Sequence, residues 1–498
     1  MVWRLLIQTT VRCKKRPGLR NGAGWGKEWP VVKLLFLTLL MLPGGLPAQP
    51  ATMPAVPEIT LFATEEQCGQ VLALTSDDAG RLYAAVTGRS WGRGTVSALG
   101  DPGMTAQDRA VRSVEARERL VTGWLASGKL APLLQDQAGF YQSEGDGPAN
   151  FLTKYPESVC WLTDANHDGR AESSLVVAGA FRDPMDGPGS TLLALAGGRW
   201  LYGCAPNLWQ LVDRNGDQQA EERVPLARGF GLRNDPWGGD LHALLEAPDG
   251  WVYFAMGERG YALRQADGTP LRSSGSGAVF RCRPDGTGLE RVASGLRNPT
   301  ALAMLPDGQL IAVDEAAPGG KSRLLLILPG ADYGWRAEAV TGSGVGLWFE
   351  EGMEPATLDR PPGANQPQWP LPALTFLEAP CAALHLLPDG TLLAADPQGE
   401  GKGGLVQWTL ERSGPSYQFK IRQEIWRGGA VMAHVQRRGR LDVEHGLGRP
   451  AQARAQRRHH QRPVDQDRVR QHRVDQRVVA ERRVGQAQLG VDRFLGAH

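Results

Sequence analysis

Three stretches carry residue types that chemistry uses. Gly238-Gly239-Asp240-Leu241-His242 sets a carboxylate and an imidazole two residues apart, shortly before the bulky run Trp251-Val252-Tyr253-Phe254-Ala255. Such a pair reads either as an acid–base couple or as a polar loop in which the histidine only hydrogen-bonds. Ser294-Gly295-Leu296-Arg297-Asn298-Pro299 holds a guanidinium and an amide between a glycine and a proline. This suits a carboxylate- or carbonyl-rich ligand, and equally a surface turn. Asp164-x-Asn166-x-Asp168-Gly169, followed by Glu172, has the spacing of a calcium loop. Asp213-x-Asn215-x-Asp217 repeats it with Glu221, but Gln218 stands where the glycine would be. The alternative is a pair of solvated Asx turns. Leu175 at the twelfth position excludes an EF-hand, and no Ser-His-Asp, HExxH, phosphate-loop or dinucleotide fingerprint appears.

The elements that would position these residues follow from a recurring phrase. Pro248-Asp249-Gly250, Pro306-Asp307-Gly308 and Pro388-Asp389-Gly390 each precede an apolar run, as do Gly80-Arg81 and Gly198-Arg199. A turn that opens a strand, repeated at intervals of fifty to sixty residues from Gly198 to Gly308, predicts β-propeller blades. The 49-residue offset between the two acidic loops supports the same period. The predicted fold is therefore all-β, a six-bladed propeller. Helical spacing of Val111, Val114, Leu120, Val121, Trp124 and Leu125 predicts one helical insertion over about 105–135. The 63 glycines and 35 prolines serve as turn punctuation.

Charge divides the chain into three segments. Residues 1–48 carry about +7 and residues 427–498 about +9, which leaves residues 49–426 near −14. An acidic body excludes nucleic acid as the main domain's partner. Lys33, the apolar run at residues 34–42 and Ala48 read as a signal peptide with cleavage after Ala48, giving an exported, periplasmic or envelope-associated protein. The true start is then expected near Val31 or Val32. Beyond residue 426 the composition narrows to arginine, glutamine, valine, histidine and aspartate. That change predicts either a disordered basic arm or translation in a shifted frame, the second being preferred. The six cysteines lack CxxC or CxxCH spacing, which predicts buried small residues and no covalent haem in this chain.

Taken in order, several stretches resemble a known family. They include Tyr155-Pro156-Glu157, Gly229-Phe230-Gly231-Leu232-Arg233, Ser294 to Pro299, and Leu328-Pro329-Gly330-Ala331-Asp332-Tyr333-Gly334-Trp335. Over residues 59–426 the chain is similar to the glucose/sorbosone dehydrogenase-like, membrane-bound dehydrogenases of PVC-type bacteria. The resemblance implies a propeller that oxidises a sugar or alcohol by hydride transfer to pyrroloquinoline quinone (PQQ), with calcium orienting the cofactor. It implies Arg297, Asn298, Arg233 and Trp335 at the cofactor, and His242, Asp240 and Arg297 in catalysis. Electrons would pass to a c-type cytochrome, and peripheral membrane association is implied. The metal ligands would be Asp164, Asn166, Asp168, Glu172, Asp213, Asn215, Asp217 and Glu221. In the family's stretch Gly-His-Asp-Leu-His the first histidine is the base; here Gly239 replaces it. His242 could substitute only if the segment turns there. Whether the chain is an enzyme or a non-catalytic propeller that binds carbohydrate or a protein partner is thereby left open.

Overall fold

Five four-stranded antiparallel sheets follow one another along the chain, each beginning with a short strand that a tight turn joins to the second, and a sixth combines strands from both ends of the chain. The structure is a computed structural model. It describes residues 2–12, 30–40, 59–89, 94–96, 98, 101–132, 147–234, 239–315, 321–335, 373–377, 381, 383–387, 390–396, 404–414, 416–427 and 431–437. For residues 2–12, 30–40, 59–61, 396, 419–427 and 431–437 the description is of the backbone. The expected cleavage point at Ala48, Cys13, the last part of the helical insertion and the tail beyond Arg437 lie outside the described residues.

The first blade is β4 (Gln70–Ser76), β5 (Leu82–Thr87), β6 (Glu157–Thr163) and β7 (Ser173–Phe181). The second is β8 (Gly189–Leu195), β9 (Arg199–Cys204), β10 (Asn207–Val212) and β11 (Glu222–Arg228). The third is β12 (Leu241–Glu246), β13 (Val252–Met256), β16 (Gly277–Cys282) and β17 (Glu290–Leu296), with the hairpin β14 (Tyr261–Arg264) and β15 (Pro270–Ser273) inserted in it. The fourth is β18 (Pro299–Met304), β19 (Leu310–Asp314), β20 (Ser322–Ile327) and β21 (Thr375–Leu377). The fifth is β22 (Ala383–Leu386), β23 (Leu392–Asp396), β24 (Gly404–Ser413) and β25 (Ser416–Arg427). The sixth combines β26 (Val431–Arg437) with β1 (Val2–Arg12), β2 (Pro30–Leu40) and β3 (Ile59–Thr64). The apolar run of the expected leader thus lies largely on β2, and the first residues of the expected tail form β26.

The first strands β4, β8, β12, β18, β22 and β26 lie side by side in a closed ring, β26 returning to β4. This is a six-bladed β-propeller, as the turn period predicts. The recurring turns do what their chemistry requires. Gly80, Gly198, Gly250, Gly308 and Gly390 have positive φ and each joins the first strand of its blade to the second. The core lies between blades. Tyr83, Leu192, Trp200 and Tyr202 fill the first interface, Phe230, Phe254 and Phe280 the next, and Leu302, Leu325 and Tyr333 the one after. Each such buried side chain contributes about 1.5–3 kcal/mol of burial. Cys68, Cys160, Cys204, Cys282 and Cys381 are buried free thiols, as expected.

The insertion departs from the single-helix expectation. After α1 (Glu65–Cys68), it forms α2 (Pro102–Arg109) and α3 (Val114–Ala126); α4 (Pro148–Thr153) follows before β6. Asp101 caps α2 by accepting from the Met104 N–H, with Pro102 opening the helix. Ser113 starts α3 by accepting from the Ala116 N–H. The helical spacing runs through this break because Val111 and Val114 both pack on Leu232.

Candidate functional site

A four-stranded antiparallel blade has two ends. The starts of its first and third strands and the ends of its second and fourth share one of them, here termed the upper end. Glu157, Gly189, Asp240, Glu258, Arg259, Arg297, Asn298, Asp314 and Glu315 all fall there. The two acidic loops, residues 164–172 and 213–221, join third to fourth strands and fall at the lower end. This corrects one expectation: a cation in either loop is separated from the upper-end residues by the length of the blade and cannot orient a ligand among them.

Asp314 organises the Arg297–Asn298 corner. It ends the second strand of blade four and is 3% exposed. Its Oδ1 accepts from the backbone N–H groups of Arg297 (3.0 Å) and Asn298 (2.9 Å), while its Oδ2 pairs with the buried Arg323 at 2.8 Å. The Arg297 side chain turns to two other carboxylates, Glu258 at 3.2 Å and Glu315 at 3.9 Å. Burial pushes the Glu315 carboxyl above its usual range, against the Arg297 charge. Trp335 reaches this corner because residues 330–335 run back along β17; Tyr333 N–H donates to Ser294 O and Trp335 N–H to Gly295 O. The Trp335 indole N–H donates to Glu258 at 2.9 Å, and its ring lies 6.0 Å from the Arg297 guanidinium. The ring is 1% exposed, so it supports Glu258 and Arg297 and offers no face to a ligand.

Asn298 also bridges to blade three. Its Oδ1 accepts from the Gly239 N–H at 3.2 Å, and its amide donates to Glu315. Gly239 has φ +79°, and a Cβ there would meet the Arg259 N at 3.1 Å and the Glu258 N at 3.3 Å. Gly257 meets it from the other side: a Cβ on Gly257 would lie 2.3 Å from the Gly239 Cα. The position expected to carry the base is thus a glycine-only backbone contact in this chain.

His242 is the second residue of β12. Immediately after it, Ala243 takes φ +58° in a bulge between His242 and Leu245, so the strand does turn there. The residue is half-buried, and its Nε2 is shielded from solvent and has no hydrogen-bond partner. Burial lowers the imidazole to about 4, opposed by the Asn298 side chain, so at neutral pH it is an uncharged proton acceptor. Asp240 is not available as its acid partner. Its carboxylate is buried and spent on Arg259, and burial raises its pKa despite that charge. Arg233 is tied by its backbone: its N–H donates to Arg259 O and its carbonyl accepts from the Arg259 Nε.

The structure therefore brings together His242, Asp240, Arg297, Asn298, Arg233 and Trp335. Sequence reasoning missed Glu258, Arg259, Asp314, Glu315 and Arg323. The signal for the first four was a charged pair at the end of a buried second strand, Glu258-Arg259 one residue past Met256 and Asp314-Glu315 straddling the strand end.

At the lower end, single carboxylate oxygens of Asp164, Asp168 and Glu172 lie within 4.8 Å of one another, and those of Asp213, Asp217 and Glu221 do likewise. Asn166 and Asn215 accept from the backbone N–H groups of Asp168 and Asp217, as in Asx turns. Both Asp213 oxygens already accept backbone N–H groups, whereas Asp164 Oδ1 is buried without a partner. The first loop is the better cation cradle of the two.

No curated protein matches the sequence. Among solved structures, a protein of Thermus thermophilus described as a glucose dehydrogenase-type oxidoreductase is 16% identical, over 71% of this chain and 83% of that one, with a TM-score of 0.40. The PQQ-bound aldose sugar dehydrogenase of Streptomyces coelicolor is 17% identical over 54% and 74%, with a TM-score of 0.35. The soluble aldose sugar dehydrogenase of Escherichia coli is 11% identical over 56% and 92%, with a TM-score of 0.37. Residues 51–324 match the model of a domain of unknown function, DUF7133, and the chain belongs to that family.

Proposed function

We propose that the chain is a quinoprotein-type dehydrogenase homologue that takes a sugar or alcohol hydroxyl at the upper end, with His242 as the base. The observation that carries this is the imidazole: uncharged at neutral pH, with an orphaned Nε2, beside Asn298 at the head of an inner strand. An orphaned buried ring nitrogen calls for a partner, and a substrate hydroxyl is one. Arg297 and Asn298 fit the carboxylate and carbonyl oxygens of PQQ by donor chemistry, and would hold it. When bound, PQQ supplies the two-electron acceptor. Glu258 and Glu315 fix the Arg297 guanidinium, and Asp314 fixes the backbone beneath it. A cation in the Asp164 loop would brace the lower end of blade one. Export, and a c-type cytochrome as electron acceptor, complete the proposal.

A second reading, a non-catalytic propeller that binds carbohydrate, is favoured by Gly239 and by the carboxylates that share Arg297. Titration of the purified chain with PQQ, followed by absorbance and then by PQQ-dependent dye reduction with sugars, separates the two. PQQ binding with sugar-dependent reduction that His242→Gln abolishes is the expected result. Sugar binding by calorimetry without PQQ binding would overturn the dehydrogenase reading and leave the binding module.

A further inference from the structure

Arg117 projects from α3 into the propeller and is 4% exposed. Its Nε donates to Asn234 Oδ1 at 2.9 Å and its Nη1 to the carbonyls of Met185 and Gly231. Arg259, equally buried, gives Nε to Arg233 O and Nη1 to Asp240. In both guanidinium groups Nη2 makes no hydrogen bond among the described residues. The two arginines line one cavity of about 20 Å³ together with Thr95, Asp186, Gly187 and Asn234. That is room for one water or one small ion. Arg89 lies nearby and donates to Asp186 O. Of the neighbouring carboxylates, Asp240 is spent on Arg259, Asp108 accepts from Asn234, and Asp186 Oδ2 accepts from the Asp183 N–H. Burial, and next the Arg259 charge, pull the Arg117 guanidinium down to about 9.

From this geometry we infer that the cavity beneath α3 is a binding site for a small monovalent anion of halide size. It holds the helical insertion onto blades one to three. A water could accept from both Nη2 groups, but it would leave the Arg117 guanidinium, which has no carboxylate paired directly to it among the described residues, beside the Arg259–Asp240 pair. An anion satisfies the donors and the charge together. Phosphate or a larger carboxylate does not fit the volume. This site is independent of the proposed dehydrogenase reaction.

Thermal unfolding of the intact chain at pH 6 tests it, in chloride and bromide against gluconate at matched ionic strength. A saturable, halide-specific rise of about 3 °C is expected at a hundredfold excess over Kd. Arg117→Gln should remove the difference between halide and gluconate. Bromide-grown crystals should give an anomalous peak between Arg117 and Arg259, an arm that needs no variant to fold. Equal midpoints in halide and gluconate, or no peak in the cavity, would overturn the proposal.

Discussion

Placing at Gly239 the histidine of the dehydrogenases that the sequence resembles should harm this protein rather than activate it. The residue has φ +79°, a region that costs a non-glycine residue of order 1–3 kcal/mol. A Cβ would also sit 3.1 Å from the Arg259 backbone N and 3.2 Å from its Cγ, so the loop after β13 must give way. Gly128, just past α3, separates the two contributions: its φ is +72° and a Cβ there meets nothing within 4 Å. Gly128→Ala should therefore lose only the conformational part, about 1 kcal/mol. Gly239→Ala should lose about 2 kcal/mol and Gly239→His about 3 kcal/mol, the excess being contact with backbone that cannot swing aside. Urea unfolding at pH 7 measures all three, and PQQ-dependent dye reduction is assayed alongside. If Gly239→His is as stable as the parent, or gains sugar-dependent reduction, the reading of residue 239 as a backbone contact is refuted.

Three further outcomes follow from the same geometry. His242 is lowered to about 4 when folded, so the unfolded chain protonates first and stability is lost as pH falls from about 6.5 towards 4. His242→Gln should reduce the acid loss of stability by about 3 kcal/mol, seen by comparing unfolding at pH 7 and pH 4. Asp314→Ala leaves Arg323 buried without its carboxylate and frees two backbone donors, and should cost about 3–5 kcal/mol in the same unfolding assay. Calcium should raise the melting midpoint of the parent and not that of Asp164→Asn, while ligand affinity at the upper end stays the same in both; a calcium-dependent change in that affinity would contradict the placement of the loop.

What was legible in the sequence was what repeats locally. A Pro-Asp-Gly turn followed by a buried run is a complete instruction for the first two strands of a blade, and its period set against the chain length gives six blades without any long-range information. The helical insertion was legible as helix but not as two helices. Val111 and Val114 keep the apolar spacing across a break that Ser113 makes, and the Ser113 cap was the available clue. The candidate site is a different kind of object. Gly239 and Asn298 meet across two blades, and nothing in either stretch encodes the other. Asp240 and His242, two residues apart, looked like one acid–base couple. The structure gives Asp240 to Arg259 and turns the strand at Ala243, so the two side chains serve different ends. That division follows from charge: a buried Arg259 needs a carboxylate, and Asp240 is the one within reach. With Asp240 committed there, the base proposed at His242 has no acid behind it. An imidazole kept neutral by burial is free to accept a proton at neutral pH, but at about 4 it is a weak base, and a carboxylate beside it would have raised its pKa towards the working pH.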